Sequence, residues 1–132
     1  MLTRRLFAGC ALCAGLGLIA ADAPAQQTPG IKRTILKRME LPGTNYVSVF
    51  ARAEIGPGGL VARHTHPGIE SSYLLSGSAM LLVAGRADQA LGPGDSFQIP
   101  PLTPHSARNG DGPTVILTSY VVEKDKPLAS PA

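Results

Sequence analysis

The 132-residue chain has no tryptophan, only three histidines and only two cysteines. Both cysteines, Cys10 and Cys13, fall inside an apolar N-terminal run, so the rest of the chain offers no disulfide, thiolate ligand or cysteine nucleophile. Charged residues are also scarce. Their one local concentration of a single sign, Lys32, Arg33, Lys37 and Arg38, is interleaved with Ile35, Leu36 and Met39. That pattern reads as a solvated strand face, and nothing in the charge balance points to nucleic acid. The longest apolar or small-residue run, Leu6 to Ala20, has fifteen residues, short of the roughly 20 that cross a bilayer. Beyond it, helical periodicity is nearly missing.

What is present at the N-terminus is an export signal. Arg4 and Arg5 precede the apolar run, and Ala23-Pro24-Ala25 supplies an A-x-A cleavage site before Gln26. The TRRLF sequence resembles a twin-arginine signal, a route that carries folded proteins, with an ordinary unfolded-chain signal as the alternative. The expectation is residues 1–25 as signal peptide, residues 26–132 as one domain, and a periplasmic or secreted protein without membrane attachment after cleavage. Removing Arg4, Arg5 and Asp22 from a chain with 12 basic and 9 acidic residues leaves a net charge of only +2.

The remainder consists of short β-branched and aromatic runs punctuated by glycine and proline. Strands are predicted near Thr34–Leu41, Tyr46–Ile55, Leu60–Thr65, Glu70–Leu75, Ala79–Val83, Ala87–Leu91, Ser96–Ile99, His105–Arg108 and Thr114–Val122. Turn chemistry such as Gly56-Pro57-Gly58-Gly59 and Gly92-Pro93-Gly94-Asp95 separates them. Physics alone gives an all-β, antiparallel sandwich or barrel. Between Asn45 and Glu54, Val47, Val49, Ala51 and Ala53 share one face, as an outer strand with one buried side requires. Ala79–Val83 is apolar on both faces and is expected to be covered on both, by the opposite sheet or by a partner subunit. The tail Lys124–Ala132 is polar and proline-containing, and is expected to lie loosely against the barrel or to fray as a short flexible tail.

The three histidines carry the chemistry. His64 and His66 are two apart, so an extended strand sends both imidazoles to one side. Pro67-Gly68 then lets the chain fold back and bring Glu70 to the same point, and His105 heads a later strand. Imidazoles with one carboxylate form a borderline donor set for a divalent transition metal: Fe, Mn, Co, Ni, Cu or Zn.

At these positions the chain resembles the cupin superfamily. Gly58, His64, His66, Glu70 and Gly77 fit its first motif, G-x5-H-x-H-x3-E-x6-G, without a gap. Gly94, Pro100, His105 and Asn109 fit the second, G-x5-P-x-G-x2-H-x3-N, and only Leu102 departs, standing where glycine is usual. A leucine forced to positive φ there would cost about 1–2 kcal/mol, so the turn before His105 is expected to differ slightly. The resemblance implies a double-stranded β-helix, or jelly-roll barrel. It also implies a metal held by His64, His66, Glu70 and His105, and a homodimer.

Such a site leaves about two coordination positions open in an octahedral field. Three functions fit. The first is a dioxygenase-like enzyme, small and similar to the quercetin-dioxygenase-like cupins, with Fe or Mn favoured and Glu70 as a transient base on a small organic substrate. The second is Lewis-acid isomerisation, hydrolysis or decarboxylation, which needs a further acid or base. Tyr46, Tyr73, Glu54, Arg52 and Arg63 are the candidates, with Tyr73 expected to face away. The third is a non-enzymatic small-ligand or metal-binding module. The interior is expected to be lined by Val, Leu, Ile, Ala and Phe, with Ser96 and Gln98 as polar exceptions.

Overall fold

The computed structural model describes residues 30–132, and the predicted signal peptide lies outside them. Its strands are β1 (Ile31–Glu40), β2 (Tyr46–Ile55), β3 (Leu60–Thr65), β4 (Gly68–Ser76), β5 (Ala79–Val83), β6 (Gln89–Leu91), β7 (Ser96–Ile99), β8 (His105–Asn109), β9 (Thr114–Glu123) and β10 (Ser130–Pro131). One sheet has the order β1-β2-β9-β4-β7 and the other β10-β3-β8-β5-β6. Every pairing is antiparallel. The all-β double-stranded β-helix expected from the sequence is therefore the fold.

Alternation decides what lies between the sheets. In β2, Val47, Val49, Ala51 and Ile55 point inward and are buried, while Tyr46 and Phe50 face solvent. Two apolar clusters result. Ile55, Leu74, Leu81, Val83, Leu91, Ile99 and Ile116 pack together toward one end, and Val47, Val49, Ala51, Tyr120 and Val122 toward the other. Between them runs a polar band. On the inner face of β4 the order is Glu70, Ser72, Leu74, and opposite it on β9 stand Tyr120, Thr118 and Ile116.

β5 buries Ala79, Leu81 and Val83 and leaves Met80 exposed, so the opposite sheet covers only one of its two faces. Three expectations need correction. Ser96 and Gln98 point outward, because Phe97 and Ile99 take the inner side of the short β7. Arg33 turns inward from the basic stretch, whereas Lys32, Lys37 and Arg38 are exposed. The tail is not loose: Ser130 and Pro131 pair with Thr65 and His64, Ala132 N–H donates to Arg63 O at 3.2 Å, and Leu128 packs on the second cluster. The apolar Leu128 supplies the burial that a polar composition concealed.

Candidate metal centre

The chain leaves β3 at Thr65 and enters β4 at Gly68, so His66-Pro67 alone forms the corner between the two sheets. His66 therefore sits just past the strand, and Glu70 is the third residue of β4 rather than its first. The corner is tight because β9 runs against it. A side chain at Gly68 would collide with the backbone of Val121 and Val122, so only glycine fits there.

Across the barrel, His64 pairs directly with His105 in the β3–β8 ladder, and Val83 flanks His105 on its other side. His105 arrives through the turn Pro100–Pro104. Leu102 adopts φ 54° there, and its N–H donates to the carbonyl of His66 at 2.9 Å. The slight difference expected of this turn is not found in its backbone: Leu102 itself takes the left-handed conformation that glycine would supply. Asn109 has a structural role: its amide donates to the carbonyls of Ile55, Gly56 and Gly112.

All four predicted ligands meet, and their ligand atoms lie within 4.8 Å of one another. His66, Glu70 and His105 are buried and His64 is half-buried. Each imidazole is oriented by its outer nitrogen. Nδ1–H of His64 donates to Ala62 O at 2.7 Å, that of His66 to Leu128 O at 2.6 Å, and that of His105 to Thr103 O at 2.9 Å. A carbonyl only accepts, so all three Nδ1 atoms carry hydrogen, and in its neutral form each ring presents an Nε2 lone pair inward.

Those lone pairs converge. His64 Nε2 lies 3.1 Å from His66 Nε2, and both His66 Nε2 and His105 Nε2 lie 3.0 Å from Glu70 Oε2. Three nitrogen acceptors and a carboxylate oxygen repel one another unless protons or a cation stand among them. One divalent cation answers all four, so the donor set fits a borderline transition metal.

The electrostatics follow from the same contacts. Burial, with the neighbouring His105 and His66 adding to it, lowers the pKa of His64 to about 4, against the partial support of its bond to Ala62. Burial also opposes the charge on Glu70, but hydrogen bonds from His105 and His66 outweigh it and hold the carboxyl well below the carboxylate range. Burial would lower His105 as well; its bond to Glu70 prevails and raises it. Glu70 Oε1 accepts from Ser72 Oγ–H at 2.8 Å, and Thr118 in turn donates to Ser72 at 2.8 Å. This chain fixes one carboxylate oxygen and leaves Oε2 to the ligands.

The acid–base candidates read from sequence do not reach the site. Tyr46 and Tyr73 are exposed, Tyr73 facing away as expected. Arg52 and Glu54 pair with each other at 2.7 Å, and Arg63 is exposed. The groups that do adjoin the ligands were missed: Ser72, Thr118, the Leu128 carbonyl and Tyr120. The Tyr120 ring centroid is 4.8 Å from that of His66, and burial, then the charge of Glu70, pushes its phenol above the ordinary value. A separate groove of about 610 Å³, lined by Phe50, Ser71, Tyr73, Gln98, Leu117 and Ser119 among others, opens on the outer face of the first sheet and includes no ligand.

The family model for the cupin domain matches residues 51–120. Among solved structures, the DMSP lyase DddQ from Ruegeria pomeroyi DSS-3 is similar at 21% identity and TM-score 0.68, over 83% of this chain and 57% of that one. The polyketide cyclase RemF from Streptomyces resistomycificus is similar at 25% identity and TM-score 0.61, over 79% and 72%. KdgF from Halomonas sp. is similar at 22% identity and TM-score 0.60, over 74% and 85%. The chain thus spans little more than half of the lyase, and these likenesses bear on the fold. No curated protein matches the chain.

Proposed function

The chain belongs to the cupin family, and from that premise we propose that it is an exported, mononuclear metal-dependent enzyme of dioxygenase type acting on a small organic substrate. The observation that carries the reading is the inward convergence of three Nε2 lone pairs and Glu70 Oε2, each imidazole locked by a backbone carbonyl. His64, His66, His105 and Glu70 would hold the metal, with Fe or Mn favoured over Ni, Cu, Co or Zn. When bound, it supplies open coordination positions and redox chemistry with dioxygen.

The chain's own residues do the rest. Glu70 would enter as a carboxylate, the form in which it joins the donor set. It would act transiently as a base, taking a substrate proton at Oε2 while Ser72 retains Oε1. The apolar clusters on either side exclude water.

Tyr120 favours a second reading. A buried neutral phenol against His66 is the additional proton donor that non-oxidative lyase, cyclase or isomerase chemistry needs. The third reading, a non-catalytic metal or ligand carrier in the periplasm, keeps the same ligand set. We read the assembly as a homodimer, which light scattering of the purified protein tests.

The deciding experiment is elemental analysis of protein recovered from its native periplasm, alongside His64→Ala. About one equivalent of Fe or Mn, lost in the variant, supports the first reading. Zn moves the assignment to the second, and a metal-free native protein overturns both in favour of the binding module. Replacing Arg4 and Arg5 by lysine should block export, and unaffected secretion would remove the twin-arginine route.

A further inference from the structure

Arg33 departs from the other basic residues of β1. Ile31 packs against the buried cluster, and alternation gives Arg33, two residues on, the same inward face. Its partner across the ladder is Ala53, and Ala51 follows on the same inner face of β2. Beyond these alanines, on β9, stand Ile116 and Thr118, with Tyr120 next. Alanine side chains end at Cβ, so a long arm from the edge strand can lie across this row with its head group toward the polar band. The positive charge of Arg33 acts on the Tyr120 phenol, opposing the larger upward push of burial.

The Nε atom of Arg33 is buried and is the one buried side-chain nitrogen or oxygen without a hydrogen-bond partner among the described residues. No acid nearby is left to serve it. The Glu70 carboxylate is engaged by His66, His105 and Ser72, and Glu54 is paired with Arg52. A buried guanidinium edge with a free N–H, on the sheet that also carries Glu70 and Tyr120, is a receptor awaiting an anion.

We propose that Arg33 anchors a carboxylate of the small molecule taken up at the metal centre, which makes small carboxylic acids the substrate class; this rests on the reading of that centre as a ligand site. Nε–H and the adjacent Nη–H form a planar fork that matches two carboxylate oxygens side-on. A phosphate dianion is a poorer fit, because one guanidinium leaves its second charge unmatched beside the apolar Ala51, Ala53 and Ile116 of the row.

The test titrates metal-free and Zn-loaded protein with acetate and benzoate, each against its amide, by calorimetry or NMR shifts. Wild type should bind a carboxylate at least about tenfold tighter than the amide of the same shape, with or without zinc. Arg33→Met should abolish the preference, and Arg33→Lys, which keeps the charge without the fork, should retain only part of it. If Arg33→Met does not fold, the loss in Arg33→Lys carries the result. An equal affinity for acid and amide, a preference that survives in folded Arg33→Met, or tighter binding of inorganic phosphate than of either acid would overturn the proposal. Failure of the metal reading looks different: zinc uptake would be indifferent to His64→Ala, while the Arg33-dependent preference in metal-free protein persisted.

Discussion

Deleting Leu128–Ala132 should loosen metal binding far more than it unfolds the protein. The segment contributes one short bond, from His66 Nδ1–H to Leu128 O at 2.6 Å, plus a two-residue ladder with His64 and Thr65 and the partial burial of Leu128. Leaving the buried His66 N–H without an acceptor costs about 1–3 kcal/mol, toward the lower end if water enters behind the ring. Lost packing of Leu128 adds about 1 kcal/mol, so the fold, worth roughly 5–15 kcal/mol in a domain of this kind, should survive. The metal should suffer more specifically, because the bond fixes the His66 tautomer and ring direction. Loss of such a partner typically costs about 10–100-fold in affinity. Competition for Co or Zn against a chromophoric chelator reads this directly, with circular dichroism as the check on folding. Leu128→Ala is the control: it removes the packing and keeps the carbonyl, so stability should fall with little change in affinity. A truncated, folded protein that holds metal at wild-type affinity would refute the reasoning.

Three further outcomes follow from the site. Ser72→Ala removes the donor that fixes Glu70 Oε1 and should weaken metal binding about tenfold, read by the same chelator competition, with unchanged affinity counting against the anchoring role. Leu102→Gly should stabilise the protein by about 0.5–1 kcal/mol in urea unfolding. It relieves about 1–2 kcal/mol of left-handed strain at φ 54° and gives back about 0.5–1 kcal/mol of chain entropy; a destabilised variant would show that the leucine packing outweighs the strain. Metal-free protein should be most stable near pH 6.5. His64, neutral in the fold down to about pH 4, removes stability as pH falls from 6.5, by roughly 2 kcal/mol after allowing for its partly open ring. Glu70, held low, contributes stability above about 4.5 that is lost at still lower pH. His105, held high, contributes stability below 6.5 that is lost as pH rises through its folded value. Thermal melts across pH 4–9 check this, and a flat profile would contradict the assigned contacts.

The four candidate ligands were legible because their geometry is nearly local. A two-residue spacing, a turn and a third residue of the next strand fix three of them, and only His105 requires long-range pairing. The alternation of β2 was equally plain, since its ten residues hold enough apolar positions to set the phase. In β7 the same signal was present, Phe97 and Ile99 being the apolar pair, and was misread through the polar residues between them. The inward turn of Arg33 was hidden by its charge, although Ile31 and the alternation already placed it on the buried side. Tyr120 and Thr118 could not be assigned to the site from sequence, because their distance from Glu70 depends on the β4–β9 register. The Leu128 carbonyl has no sequence signature at all, since every residue carries one.

That last contact changes how the centre is put together. Glu70 comes from one sheet, His64 and His105 from the other, His66 from the corner between them, and the acceptor that orients His66 from the last strand-forming segment of the chain. Each ligand alone is a poor site, and their convergence costs mutual repulsion that only a proton or a cation removes. The full-strength centre therefore exists only once both sheets and the tail have closed. On the proposed export of an already folded chain, the site would be complete in the cytoplasm, where the cell rather than the affinity series decides between Fe or Mn and the more tightly binding Cu or Zn. A chain threaded unfolded would meet metal only outside, with the preference order against it. On that route the placement of the His66 acceptor in the tail would bear on metal identity as well as on affinity.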